Sequence, residues 1–431
     1  MDAPLTGVVP VVPTIFHDDE TVDLAGTARV VDYLIDAGVT GLCLLANYSE
    51  QFSLTDAERD TIARTLLERV AGRVPVIVTT SHYSARVAAD RSRAARDMGA
   101  AMVMLMPPFF GATLTVAGPS VLDFYQRVAD AIDIPVMVQD APLSPTPLPV
   151  SLIADLVRRV PRVQYVKVEV AQAAEKLHSL VGLLGPSLPG PFDGEESVTL
   201  IPDLDAGATG TMPSATAPFE LGQIVRRYLT GDRAGAVTLW EGLLPLIHFE
   251  NRQCGLRAQK ILLAEGGIIG CDRTRAPLGP VSPRTRRGLI ELAEARDLLI
   301  MRWGRLGRRG APSGRRLRGQ DRRVGPGEPQ AEWLAVEVGG VAMWRVDSDA
   351  LHALAATGGV EGAGAGVRLQ DPQVQAGAGG FRQDPLRGQG HQPGADAVAL
   401  QPVLDMQVVE QRTPGGVVAE DRVREADDRA V

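Results

Sequence analysis

Lys167 is the residue of this chain best placed to do covalent chemistry. Three lysines occur in 431 residues. Lys167 interrupts the run Val163-Gln-Tyr-Val-Lys-Val-Glu-Val170. Read with the strand period of two, Val166, Val168 and Val170 face one way and Tyr165, Lys167 and Glu169 the other. An all-valine face packs under helices, so the opposite face sets an amine beside a carboxylate in the interior of a sheet or barrel. A buried lysine must lower its pKa or gain a partner, and a lowered pKa makes the amine a nucleophile toward carbonyl carbon. The plainer alternative is a structural Lys–Glu pair. Lys176, beside Glu175 in a helical stretch, and Lys260, in the helix-like segment Leu256–Ala264, read as ordinary helix residues.

The elements that position this face alternate. Strand-like runs are Val8–Val12, Gly41–Leu45, Val74–Thr79, Met102–Met106, Ile134–Val138, Val163–Glu169, a weak Ser187–Phe192, and Gly207–Met212. Amphipathic runs separate them: Asp23–Ala37, Thr55–Val70, Ala85–Met98, Val121–Ala131, Ser151–Arg159, Ala171–Leu184, Glu196–Ala206 and Ala217–Leu229. Asp23, Ser151 and Thr55 are cap residues, the last with Glu58 in a capping box. Strict alternation implies a parallel sheet, and eight units in roughly 220 residues imply a closed α/β barrel of the (β/α)8 TIM type. The barrel occupies residues 1–230. Residues 231–304 form a C-terminal helical extension (Ala234–Phe249, Gly255–Glu265, Pro283–Arg302). Residues 305–431 lack lysine and sustained periodicity, as expected of a disordered tail or of an unselected reading of GC-rich DNA. Within them the apolar window Trp333–Leu354 is open between helix and hairpin.

A net charge of −8 and a pI near 5.4 argue against nucleic-acid binding. The arginine-rich stretch 302–323 does not outweigh that balance. No apolar run reaches the ~18 residues of a membrane span. The N-terminus lacks the features of a signal peptide. Cys43, Cys254 and Cys271 form no metal-type pair, and an odd cysteine number suits a reducing cytoplasm. The histidines are scattered, and there is no Walker loop. Neither metal nor nucleotide chemistry is expected.

In such a barrel the reacting groups belong at the C-terminal ends of strands. The polar residues there are Asn47, Tyr48 and Ser49 after the second strand, and Ser81 and His82 after the third. Gln139 ends the fifth, Lys167 and Glu169 the sixth. Glu195 follows the seventh and Ser214 the eighth. Singly, each also reads as a helix cap or a plain loop residue.

Several of these segments carry a specific resemblance. Gly7–Phe16, the Ser49-Glu50 turn, Met106-Pro-Pro108 and the strand-six lysine resemble the dihydrodipicolinate synthase/N-acetylneuraminate lyase superfamily, whose members act on 2-oxo acids through a lysine Schiff base. Leu44–Phe52, Pro75–Ser84, Val138–Pro142, Gly190–Glu196 and His248–Gln253 are similar to a dehydratase branch acting on 2-keto-3-deoxy sugar acids. The likeness covers about residues 5–304. It implies Lys167 as nucleophile, Glu169 as acid/base, and Tyr48 and Ser49 as partners of the substrate carboxylate. Asn47, Ser81, His82, Gln139, Glu195 and Ser214 are the candidates for its hydroxyls. It further implies a homotetramer, and dehydration of a 2-keto-3-deoxy pentonate to 2-oxoglutarate semialdehyde in pentose catabolism. Synthases and lyases of the superfamily place a proton-shuttling tyrosine on strand five where this chain has Gln139. An amide cannot relay protons as a phenol does. An aldolase or synthase of the same fold, and a non-catalytic barrel that binds sugar acids, remain as alternatives.

Overall fold

The β6 valines and the lysine between them part company as their alternation requires. Val166 and Val168 lie in the apolar layer between sheet and helices, while Tyr165 packs in a separate interior cluster with Val9, Cys43, Met104, Met137 and Phe192. The computed structural model describes residues 4–111 and 114–306, together with strands Leu334–Val338 and Val341–Arg345.

Eight strands form one parallel sheet: β1 Gly7–Val8, β2 Leu42–Leu44, β3 Val76–Thr79, β4 Met102–Leu105, β5 Val136–Asp140, β6 Val163–Val168, β7 Gly190–Asp193 and β8 Gly210–Thr211. Each pairs with its sequence neighbour from β2 to β8, and β8 pairs with β1. Closure between β1 and β2 runs through a parallel bridge, Val11 to Cys43, with Val12 donating to Cys43 O and Cys43 to Pro10 O, both at 2.9 Å. Pro10 and Pro13 have no N–H to give a ladder, which is why the first strand is so short. Gly210 is required at the β1–β8 contact: a Cβ there would lie 2.0 Å from Gly7 O.

The cap at Asp23 forms, its carboxylate accepting from the Gly26 amide at 2.7 Å. So does the Thr55/Glu58 capping box. Ser151 is not a cap: its helix starts at Val150, with Pro149 in the capping position. The helix expected from Glu196 starts instead at Leu200. Glu196 and Ser197 both take positive φ (53° and 67°), so neither can be a residue of a right-handed helix. The last amphipathic run is broken. Pro283–Glu294 is helical, Asp297 turns left-handed at φ 47°, and Leu299–Met301 forms a short 3₁₀ turn. Strands 334–338 and 341–345 form an antiparallel pair inside the window Trp333–Leu354. The rest of the expected tail lies outside the described residues. Among the described residues no helix is long and apolar enough to cross a membrane.

Candidate active site

Lys167 is 3% exposed and pairs laterally with Gln139 on β5 and Phe192 on β7. Its Nζ lies 2.5 Å from Glu169 Oε1. Gln139 donates its side-chain amide to the same oxygen at 2.8 Å, so one carboxylate oxygen gathers the amine and the amide. The Gln139 carbonyl oxygen is buried and has no partner among the described residues. Burial alone would lower the Lys167 pKa, but Glu169 and Glu196 outweigh it and hold the amine above its ordinary value. Lys167 thus gains a partner rather than losing basicity, the second of the two outcomes that its burial left open. Glu169, in contact, is the acceptor that can free its lone pair.

Gly194 makes room for this pair. A Cβ at that position would stand 2.4 Å from Glu169 Cγ and 2.8 Å from Lys167 Cγ. No side chain other than hydrogen fits there without moving both reacting groups.

The acidic partners come from β7 and its loop. Sequence pointed to Glu195, which is partly exposed, donates its own amide to Asp193 Oδ1 at 3.0 Å, and has a carboxyl raised by burial and by Asp193. The neighbouring Glu196, which sequence missed, is the buried one. Its Oε2 accepts the Ser214 amide at 2.5 Å, and burial followed by the charge of Glu250 raises its pKa well above the carboxylate range. Glu250 is the second residue missed. It is 4% exposed, sits where the helix Arg233–Phe249 passes into a π-helical turn, Glu250–Cys254, and is pushed up to about 7 by burial. Such turns re-aim a side chain that a regular helix would carry elsewhere. Glu250 lies in the segment His248–Gln253 already noted for resemblance. Behind them Asp193 takes the Thr211 hydroxyl at 2.6 Å, and its carboxyl meets that of Asp203, whose pKa burial and Asp193 raise to about 8.

The turn after β2 is held from several sides. Ser49 Oγ donates to Val12 O at 2.6 Å and accepts the Ala46 amide at 3.1 Å, while its own amide donates to Ala46 O at 3.0 Å. Both Ser49 donors are thus engaged within the protein. Tyr48 packs against the interior cluster, and burial and the charges of Glu196, Glu250 and Glu169 raise its phenol. Asn47 accepts from Gln51 at 2.7 Å. Glu50 adopts φ 58°, and its carboxylate is buried against Lys260. Lys260 is therefore not the ordinary helix residue expected: it is fully buried, also donating to Arg273 O at 3.0 Å. Gln259, beside it, donates to Tyr48 O and accepts the Ala215 amide, both at 3.0 Å. Lys176 too is paired, 2.5 Å from Asp140 Oδ2.

Ser81 and His82 follow β3, next to the turn after β2. Ser81 Oγ accepts the Met106 amide at 3.0 Å. His82 Nδ1 accepts the Ser84 amide at 3.0 Å, and burial followed by Arg91 lowers its pKa. Both line a cavity of about 330 Å³ with Gln51, Arg59, Met106 and Phe110. Another cavity, of about 310 Å³ between the extension and the loop after β1, contains none of the candidate site residues. Ser214 is 2% exposed, and its hydroxyl accepts the Thr216 amide at 3.2 Å, while the Thr216 hydroxyl donates to Glu250 at 2.9 Å. No cluster of metal-binding character exists among the described residues.

The arrangement is an amine with a proton acceptor in contact, a second buried carboxyl whose pKa is raised, and polar groups at six strand ends. Residues 4–296 match the model of the dihydrodipicolinate synthetase family. L-2-keto-3-deoxyarabonate dehydratase of Azospirillum brasilense is 50% identical over 297 residues, 69% of this chain and 96% of the relative. A 4-hydroxy-tetrahydrodipicolinate synthase of Thermomicrobium roseum is 30% identical over 63% of this chain and 88% of its own length. Among solved structures, YagE of Escherichia coli K12, a prophage protein of the dihydrodipicolinic acid synthase family in complex with pyruvate, superposes with a TM-score of 0.64 at 26% identity. It covers 68% of this chain and 99% of that one.

Proposed function

Because this chain belongs to the dihydrodipicolinate synthetase family, we propose that it is a Schiff-base dehydratase converting L-2-keto-3-deoxyarabonate to 2-oxoglutarate semialdehyde and water. The observation that carries the reading is the Lys167–Glu169 contact, flanked by Gln139 and by a second buried carboxyl, Glu196, whose pKa burial raises. Half identity to the Azospirillum dehydratase along nearly its whole length supports the choice of substrate.

Lys167 passes its proton to Glu169 and adds to the C2 ketone. Glu169 returns that proton to the carbinolamine hydroxyl, which leaves as water, and the resulting iminium acidifies C3 as an electron sink. Glu169 removes a C3 proton to form the enamine. Glu196 gives its proton to the C4 hydroxyl, which leaves as water, because hydroxide is a poor leaving group. The carboxylate left behind takes a C5 proton, restoring itself and producing an enol. Glu169 protonates C3, the remaining C4–C5 enol tautomerises to the aldehyde by taking a proton at C4 and losing its hydroxyl proton, and water hydrolyses the iminium to release the product and free Lys167. The lysine imine supplies the electron sink, so the scheme calls for no metal or nucleotide cofactor.

The C1 carboxylate is assigned to the Asn47–Ser49 turn, with the Tyr48 amide as donor and Ser49 holding the turn in shape. Asn47, Ser81, His82, Gln139 and Glu195 are assigned to the hydroxyls, and Ser214 acts through Glu196, to which it donates its amide. We assign the chain to the cytoplasm on its three free cysteines. We further assign it to a homo-oligomer, a tetramer by family analogy. Phe52, Tyr83, Phe110, Leu114 and Leu143 are exposed apolar residues of the loops after β2 to β5, the kind of surface that oligomers cover.

Borohydride reduction with substrate or pyruvate tests the reading. Added mass on the Lys167 peptide, with semialdehyde formed in the absence of borohydride, is the expected result. Label on Lys176 or Lys260, or pyruvate release from the sugar acid, would overturn it.

A further inference from the structure

We propose that Gln259, from the C-terminal extension, is a positioning residue that sets the span between the carboxylate-binding turn after β2 and the loop after β8 that holds Glu196. The inference deepens the dehydratase reading and rests on it for what each loop binds.

Gln259 is fully buried on the helix Arg257–Glu265. The two ends of its side-chain amide go to different loops. The NH2 group donates to Tyr48 O, and Oε1 accepts the Ala215 amide, both at 3.0 Å. The preceding amide, that of Ser214, donates to Glu196 Oε2 at 2.5 Å. Two consecutive N–H groups of one loop are thus divided between Glu196 and Gln259. The hold on Ala215 therefore fixes the peptide next to the one that reaches Glu196.

The sheet does not set this span. β1 lies between β8 and β2. Its last ladder bonds are donated by Val11 to Pro213 O at 2.8 Å and by Val12 to Cys43 O at 2.9 Å. Pro13 has no N–H to continue them, and both loops run on past those points. The extension bridges them there. Its other polar contacts each hold one loop alone: Glu250 accepts from Thr216 after β8 at 2.9 Å, while Lys260 and the Arg275 amide reach Glu50 after β2. Among the described residues Gln259 is the one side chain of the extension hydrogen-bonded to both loops.

The substrate must meet both loops at once. Its C1 carboxylate goes to the Tyr48 amide, its C2 to Lys167 and its C4 hydroxyl to Glu196. The short C1–C4 chain, planar at the iminium, cannot stretch to follow a change in the gap. Gln259 holds that gap with two bonds that no solvent is present to replace. Pyruvate ends at C3, so it needs the turn and Lys167 but not Glu196.

Gln259→Met keeps the length and bulk of the side chain, loses the N–H donor and leaves only a weak sulfur acceptor. Two quantities are read well below the unfolding temperature. The pyruvate concentration that half-saturates borohydride trapping at Lys167 reports the turn, and kcat for the sugar acid reports the loop that holds Glu196. Half-saturation should rise about tenfold or more, the size of one hydrogen bond to a charged group. The kcat should fall about 10²-fold, the usual effect of a small misplacement at the reacting centre. A purely structural Gln259 would lower the melting temperature and move neither, and wild-type values of both would overturn the proposal. A change in one without the other would overturn it too, because Gln259 would then serve a single loop. Should Gln259→Met not fold, Gln259→Asn carries the test. Its amide keeps donor and acceptor but is one methylene too short to reach both loops where they stand, so the same paired change supports the span and wild-type kinetics overturn it. Failure of the dehydratase reading would appear separately, as a wild-type enzyme that traps pyruvate at Lys167 and forms no semialdehyde. The pyruvate arm then still decides, an unmoved half-saturation overturning the span.

Discussion

Lys260 Nζ is buried against the Glu50 carboxylate, 210 residues away in sequence, with the face of Phe16 4.4 Å from the ammonium. Glu50 also accepts the Arg275 amide at 2.9 Å, so the extension grips the turn that carries Tyr48 and Ser49. Lys260→Met would leave a buried carboxylate without its cation. It should cost about 3–5 kcal/mol, the usual penalty for breaking a buried pair. Glu50→Gln in the same chain should recover part of it. Denaturant unfolding measures both, and a single-variant loss below about 1 kcal/mol would show that Glu50 is neutralised some other way.

Glu169→Gln should lose about two orders of magnitude or more in kcat, as general acid–base groups do, and should trap the imine at Lys167 more slowly than wild type, because the amine loses the proton acceptor in contact with it. Full turnover in that variant would move proton transfer to another group.

Gly194→Ala tests the space around the reacting pair. The added methyl displaces Glu169 and Lys167 together, and a misplacement on that scale costs about 10²-fold in rate. The melting temperature should change little, because the displaced side chains border the open site. Wild-type kcat in the alanine variant would show that the pair can shift without consequence.

Asp203 gives a pH dependence of stability with a definite sign. Its folded pKa, about 8, is raised from an ordinary 3.8, so between those values the folded state holds the extra proton and stability falls as pH rises. Asp203→Asn keeps a donor toward Asp193 and cannot ionise. Its stability relative to wild type should therefore grow between pH 4 and 8 and level off above. Urea midpoints at pH 5, 7 and 9 measure this, and a constant difference would show that the pair holds no extra proton.

A chain ending after Leu306 should turn over substrate as the full chain does, since every residue assigned to the site lies before that point. Loss of activity or solubility on truncation would give the later residues a part in the fold.

Much of β6 was legible because a strand records its two faces in alternate positions. Lys167 and Glu169 followed from that period, and the barrel from the repetition of the unit. Ser49, His82 and Gln139 followed from their place at strand ends. Glu196, rather than Glu195, was not legible. The choice depends on two consecutive left-handed residues, and nothing in Gly-Glu-Glu-Ser dictates that backbone. Glu250, Gln259 and Lys260 were hidden for a different reason. Their helices show which positions are apolar but not which turn of the barrel they meet, and a buried lysine on a helix looks like an exposed one until Glu50 arrives.

None of the three lysines is exposed: Lys167 and Lys260 are buried and Lys176 is largely covered, each against a carboxylate. Every other basic residue among Lys and Arg is arginine, whose guanidinium stays protonated and adds poorly to a simple carbonyl. A reactive aldehyde leaving the barrel mouth therefore finds no free side-chain amine on the protein that made it. The scarcity of lysine makes the surface resistant to glycation by its own product, while the one amine that must condense with a carbonyl is kept inside.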